Sequence, residues 1–200
     1  MIILVIRHGE SEADLLDVHE GRADFELTKR GHMQADAMAS FVKANYSVTK
    51  IYASTLKRAA QTAKHLSDIV GIPINYEEDL MEFNNGLLAG LSRKEADEKY
   101  PEIVDLPVDK AVYGQESKLE FRNRADRILK KIVSASKDEV TVAIVTHGGM
   151  INQLYRSLMG LPVASDIFFG TGDTGVHVWK LQDGAIGIIK ANMMEHTKGI

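Results

Sequence analysis

Apolar residues follow two rhythms along this chain, and the alternation between them predicts most of its elements. Residues 2–6 (IILVI) and 140–145 (VTVAIV) are near-continuous apolar runs, the pattern of strands buried on both faces. Between them the spacing lengthens to that of helices. Thr28 can cap a helix reaching about Ala44, with Ala35, Met38, Ala39 and Val42 on one side. A short strand at Lys50–Ala53 precedes a helix over Leu56–Val70, which stops at Gly71 with Pro73 just beyond. Residues 72–76 fit another strand. Ser92 followed by Glu95 forms a capping box for a short helix ending before Pro101. Ser117 opens a long helix to about Ser136, with Leu119, Ala125, Ile128, Leu129, Ile132 and Val133 as its inner stripe. After the strand at 140–145, a helix is expected over Met150–Met159. Two strand patterns close the chain, Gly175–Leu181 and Ile186–Ala191, joined through Gln182-Asp183-Gly184, a hairpin signal.

Strands alternating with helices predict a three-layer α/β/α sandwich with a mainly parallel sheet. The final hairpin adds an antiparallel edge strand. No repeat, low-complexity stretch or Pro/Gly/Ser-rich linker divides the 200 residues, so the expectation is one domain over 1–200, with a small cap-like insertion around 84–115.

Composition narrows the chemistry. The chain has no cysteine, which excludes disulfide scaffolds, thiolate nucleophiles and cysteine-based zinc sites. A formal charge of −4 argues mildly against general polyanion binding, so no nucleic-acid partner is expected. No run approaches the roughly 18 apolar residues of a membrane span. The start, MIILVIRHGE, is apolar for only six residues before Arg7 and lacks a basic leader region. A cytoplasmic protein without a membrane partner is the default expectation, and nothing in the sequence fixes an oligomeric state.

Four polar segments lie at or just beyond the ends of predicted strands: Arg7-His8-Gly9-Glu10-Ser11, Ser54-Thr55-Leu56-Lys57-Arg58, Met81-Glu82 and Thr146-His147-Gly148-Gly149. In an open parallel sheet, ligands bind beyond the carboxyl ends of the strands, where such loops converge. Two arginines, two histidines and a glutamate can therefore meet in one cleft. Planar guanidiniums suit a phosphate dianion. Gly148 and Gly149 permit close backbone approach, and a helix starting there aims N–H groups at an anion. A neutral imidazole is a competent nucleophile, and a carboxyl group can protonate a leaving oxygen and then deprotonate water.

The stretch Ile6-Arg7-His8-Gly9-Glu10-Ser11 resembles the signature of the histidine phosphatase superfamily, which includes the cofactor-dependent phosphoglycerate mutases. The likeness continues through Leu27-Thr28, Gly31, Gln34-Ala35, Ser54, Leu56, Arg58-Ala59 and Gln61-Thr62-Ala63. It resumes at Glu82 with Gly86 and Gly90, and again at Thr146-His147-Gly148-Gly149. These blocks span residues 2 to about 155 in the family's order. The resemblance implies a catalytic set of His8, Glu82, His147, Arg7 and Arg58. His8 is the implied nucleophile, forming a phosphohistidine, with its other ring nitrogen held protonated by a backbone carbonyl. Arg7, Arg58 and His147 would bind the phosphoryl oxygens, Ser11 and Gly148 would contribute to substrate binding, and Glu82 would be the proton donor. No metal or cofactor is implied, and the partner is a small phosphorylated metabolite.

One position departs from the pattern. Many members of the family have asparagine where this chain has Asp14, and a carboxylate beside phosphate is repulsive. Asp14 is therefore expected to turn away, to meet an arginine such as Arg22, or to be protonated. Histidines 19, 32, 65, 177 and 196 have no comparable context and read as structural or solvent-facing, although the loop holding His19, Glu20 and Arg22 can border a substrate. The short segment after Glu82 reads as a small cap open to water, which favours hydrolysis of a phosphomonoester. The alternatives are a phosphoglycerate mutase, a non-catalytic phospho-ligand module and a metallohydrolase.

Overall fold

The computed structural model describes residues 1–136 and 140–200. Its centre is a six-stranded sheet of β1 (Ile2–Arg7), β2 (Val48–Ser54), β3 (Ile74–Glu77), β4 (Thr141–Thr146), β5 (Val176–Gln182) and β6 (Ala185–Met193), in the order β3-β2-β4-β1-β5-β6. β3, β2, β4 and β1 run parallel. β5 is antiparallel to β1, and β6 is antiparallel to β5. The expected α/β architecture with an antiparallel hairpin at one edge is thus present.

Among the described residues six α-helices accompany the sheet: α1 (Glu12–Leu16), α2 (Lys29–Asn45), α3 (Lys57–Val70), α4 (Arg93–Lys99), α5 (Lys118–Ser134) and α6 (Gly148–Leu158). The two-residue period of the strands divides the apolar residues into two cores. Leu4 and Ile6 of β1 and Ala143 and Val145 of β4 pack with Met38 and Val42 of α2 and Ala59 and Leu66 of α3. Ile3, Val5, Val142 and Ile144 face the other way, toward Ile128 and Ile132 of α5 and Ile151 and Leu154 of α6. A strand covered on both faces has no polar side, which is why β1 and β4 read as unbroken apolar runs.

Thr28 caps α2 by accepting from the Gly31 N–H at 2.9 Å. Ser117 and Ser92 open α5 and α4 with capping boxes. The β5–β6 hairpin turns on Asp183 and Gly184, both at positive φ, with Gln182 paired to Ala185. Some boundaries shift from expectation, and one helix is new. β2 begins at Val48, two residues early, because exposed Thr49 and half-buried Lys50 dilute its apolar signal. α6 begins at Gly148 rather than Met150, and α1 has no counterpart in the sequence reading. Among the described residues no helix is long and apolar enough to cross a membrane.

Topology assembles the loops. β4 lies between β1 and β2, and Arg7 and Thr146, the last residues of β1 and β4, are register partners. Segments 7–11, 54–58 and 146–149 therefore emerge side by side. The Glu82 segment joins them through a 3-10 turn at Glu78–Leu80. There the Thr146 hydroxyl donates to the Leu80 carbonyl at 2.6 Å.

Candidate active site

His8 follows β1 directly, and its backbone N–H continues the ladder by donating to the Thr146 carbonyl at 3.0 Å. The side chain is almost fully buried. Its Nδ1 lies 2.8 Å from the Gly9 carbonyl, which can only accept, so Nδ1 carries the proton and Nε2 keeps a lone pair. Burial, then the positive charges of Arg58 and Arg7, hold the His8 pKa well below its ordinary value, against a smaller opposing effect of the Gly9 bond. The ring is a neutral base with a fixed tautomer. Close backbone contact supports the turn behind it. A Cβ on Gly9 would lie 2.6 Å from the Gly31 carbonyl oxygen, so glycine is needed for steric reasons. Thr62 of α3 accepts from the Gly9 N–H at 3.1 Å.

Arg58, in the first turn of α3, is completely buried. Its Nη1 and Nη2 donate to the Ala23 and Gly21 carbonyls at 3.0 and 2.8 Å. Its single Nε–H faces two acceptors, Nε2 of His8 at 3.3 Å and Oε1 of Glu20 at 3.0 Å. Burial lowers its pKa, and Glu20 leads the carboxylates that oppose this. Arg7, on the other side of His8, donates from Nη1 to the Thr171 carbonyl at 3.0 Å and pairs through Nη2 with Asp173 at 3.3 Å. Its buried Nε has no hydrogen-bond partner among the described residues.

His147, the N-cap of α6, is fully buried, its ring centroid 5.1 Å from that of His8. Nε2 is 2.8 Å from the Ser54 hydroxyl, and Nδ1 has no hydrogen-bond partner among the described residues. Burial and the charge of Arg58 depress its pKa well below the usual histidine value.

Glu82 reaches the same cleft. Its Oε2 accepts from the Gly149 N–H and its Oε1 from the Phe83 N–H, both at 2.8 Å. The start of α6 thus gives its Gly149 N–H to the chain's own carboxylate, where a substrate anion was expected. A Cβ on Gly149 would lie 2.3 Å from Glu82 Oε1, so the glycine makes room for this contact, whereas Gly148 faces only ordinary contacts. Arg124 of α5 holds the segment from below, donating to the Asp79, Met81 and Glu82 carbonyls and to Glu116.

All five residues assigned to catalysis by resemblance, together with Ser11 and Gly148, therefore converge at one end of the sheet. Asp14 turns to the backbone of its own helix start, accepting from the Ser11 N–H at 2.8 Å, with the Ser11 hydroxyl oxygen 3.1 Å away. Arg22 does not meet it; it points to the Glu82 carbonyl and Glu116. The sequence reading placed Glu20 no closer than the border of a substrate, and missed the supports of Arg7. Among those supports is His177, fully buried on β5. Its Nδ1 receives the Asn192 N–H at 3.2 Å and lies 2.8 Å from the Tyr155 hydroxyl, so the proton sits on Nε2, which donates to Thr171 Oγ1 at 3.0 Å. Burial brings its pKa to about 4.

Residues 3–193 match the model of the histidine phosphatase superfamily, branch 1. The chain is 27% identical to phosphoserine phosphatase 1 of Hydrogenobacter thermophilus, covering 97% of this chain and 93% of that protein. It is 34% identical to a 2,3-bisphosphoglycerate-dependent phosphoglycerate mutase of Cytophaga hutchinsonii, over 78% of this chain and 76% of the mutase. The solved structure of Bacillus stearothermophilus YhfR superimposes with a TM-score of 0.86 and 25% identity, each chain covered to 98%. Relatives named as phosphatases support hydrolysis of phosphomonoesters. By its family match and its fold, the chain belongs to branch 1 of the histidine phosphatase superfamily.

Proposed function

We propose that the chain hydrolyses a small phosphomonoester through a phosphohistidine at His8. The observation that carries this reading is the fixed Nε2 lone pair of a buried, neutral His8, with Arg58 at 3.3 Å and His147 beside it. Nε2 attacks phosphorus, the bond to the ester oxygen breaks, and the leaving alkoxide takes a proton from Glu82. Water then attacks the phosphoryl group, Glu82 takes up its proton, and the N–P bond breaks. Arg7 and Arg58 offset the charge on the phosphoryl oxygens, so this reading requires no metal. Ser54 has one hydroxyl hydrogen, and one of its lone pairs already receives the Leu56 N–H. With that hydrogen on His147 Nε2, His147 keeps its own proton on Nδ1, available to a phosphoryl oxygen. Ser11, whose hydroxyl meets Glu20, and Gly148, which lines a pocket beside Arg7, complete the proposed substrate-binding set.

Hydrolysis is favoured over mutase chemistry by the small covering segment. Between Glu82 and α5 the chain has only a 3-10 turn at Gly86–Leu88 and the seven-residue α4. It hydrogen-bonds to the loop after α1 through His19 and Leu91, and through Gly90 and His19. A mutase must instead exclude water while it holds a phosphoryl donor.

The test is a panel of phosphomonoesters ranked by kcat/KM, headed by phosphoserine and 3-phosphoglycerate, with His8→Ala as the blank. Brief reaction with a labelled substrate and an acid quench should trap acid-labile label on the wild type and none on the variant. Efficient 2-/3-phosphoglycerate interconversion with bisphosphoglycerate, without phosphate release, would reverse the choice of hydrolysis. A wild-type chain that never labels, with His8→Ala binding phosphate equally well, would point to a binding module.

A further inference from the structure

Glu20 lies in the loop after α1, yet its carboxylate is in the centre of the site. Oε1 receives the Arg58 Nε–H at 3.0 Å and also the Ser11 hydroxyl, while Oε2 is 3.7 Å from His8 Nε2. His8 is neutral, so this last contact is no ion pair. A nucleophile needs its target atom at roughly 3–3.5 Å. A carboxylate oxygen at 3.7 Å therefore overlaps the volume that a phosphoryl group must enter, and it holds the Nε–H of the buried arginine.

Resting on the phosphoryl-transfer reading above, we propose that Glu20 sets the pH range of phosphoryl binding. Its carboxylate occupies the seat of the phosphoryl group, which enters only when Glu20 is protonated. A proton from solvent neutralises the carboxylate and removes its charge attraction to Arg58. The neutral carboxyl then donates its O–H to a phosphoryl oxygen, and Arg58 Nε turns to the phosphoryl group. No covalent bond changes.

The groups facing Glu20 come from three elements. Arg58 is on α3, Ser11 and Asp14 are at the start of α1, and Arg7 and His8 are at the end of β1. Burial, helped by the charge of Asp14, raises the Glu20 pKa against the opposing pull of Arg58, Ser11 and Arg7. The protonated form is thus closer to hand than for an exposed glutamate. A phosphoryl dianion would favour it further, since two anions in one seat repel. A cavity of about 280 Å³ adjoins the carboxylate, bordered by Arg7, Asp14, Asp17 and Arg93. It gives the side chain space to shift when a ligand arrives.

The test is inorganic phosphate binding to the full chain, measured by calorimetry from about pH 5 to about pH 8, for the wild type and Glu20→Gln. Glutamine keeps the shape and a donor but has no charge to titrate. At the alkaline end the variant should bind about tenfold tighter or more, and the ratio should fall toward one at the acid end, one proton being linked to binding. The ionisation of phosphate cancels in the ratio. A ratio constant with pH, or weaker binding by Glu20→Gln throughout, would overturn the proposal by making Glu20 a structural partner of Arg58. If circular dichroism shows Glu20→Gln unfolded, Glu20→Ala replaces it, with the same gain expected at high pH. Absence of phosphate binding to both proteins would overturn this proposal and the phosphate seat itself. Normal binding without hydrolysis of any ester would count only against the hydrolytic reading.

Discussion

Arg58 Nε and His8 Nε2 lie 3.3 Å apart, a permanent cation against the lone pair of a neutral imidazole. After burial, this contact helps keep His8 unprotonated, and in the proposed mechanism it also places a donor where phosphoryl charge develops. The proposed nucleophile and its electrostatic support are thus coupled within one hydrogen-bond length.

That coupling predicts how His8 titrates. Burial and the two arginines depress its pKa, so the ring should stay neutral as pH falls through about 6.5, the ordinary histidine value. Imidazole ¹⁵N NMR of the free protein should show one tautomer, protonated on Nδ1, from about pH 8 to about pH 5. An ordinary titration midpoint near 6.5 would contradict both the burial and the charge argument.

Gly149→Ala should separate catalysis from binding. The new Cβ would lie 2.3 Å from Glu82 Oε1, and the proposed proton donor would have to move. General acid catalysis contributes about 10²–10⁴-fold. Accordingly, kcat should fall by about 10²-fold or more while the inhibition constant for phosphate changes by less than about threefold. Equal losses in both would mean that the α6 start binds phosphate directly.

Arg58→Lys retains charge but not the fork geometry. An ammonium cannot grip the Gly21 and Ala23 carbonyls while facing His8. The expected result is a phosphate affinity lower by about 10²-fold, with faster amide exchange across residues 20–26. Slow exchange there together with full affinity would show that charge alone suffices.

His177 acts on the site from a distance by holding Thr171, whose carbonyl anchors Arg7. His177→Phe should raise KM by about tenfold, and that increase should largely vanish when measured in an Arg7→Ala background. Such non-additivity is expected of residues in one hydrogen-bonded chain. Simple additivity would reduce His177 to a core residue.

The sequence showed the strands and their order of chemistry because β1 and β4 are covered on both faces and cannot disguise their apolar runs. The capped helices were equally plain, since Thr28, Ser92 and Ser117 announce their starts. α1 was hidden because five residues span little more than one helical turn and carry no repeat. In the α5 stripe, Leu119 and Val133 are only half-buried, while Arg122 and Arg124 are buried. Their role is to reach loop carbonyls, a use of arginine that periodicity does not register. Glu20 escaped for a different reason. Its position depends on how a loop closes over the sheet and which rotamer it adopts, and neither follows from local pattern. Trp179 packs in the core edge-on to Tyr155, their ring centroids 4.7 Å apart.

The grip of Arg58 on residues 21 and 23 is made entirely through main-chain oxygens, a feature every amino acid supplies. That fastening reads no side chain at position 23, whereas position 21 is held to glycine by its positive φ and by Asn85, 1.9 Å from where a Cβ would stand. Mutation at position 23 can therefore change the surface beside the cleft while Arg58 stays in register. On the proposed hydrolytic reading, one inherited reaction centre can be fitted to different esters in this way, without being rebuilt each time.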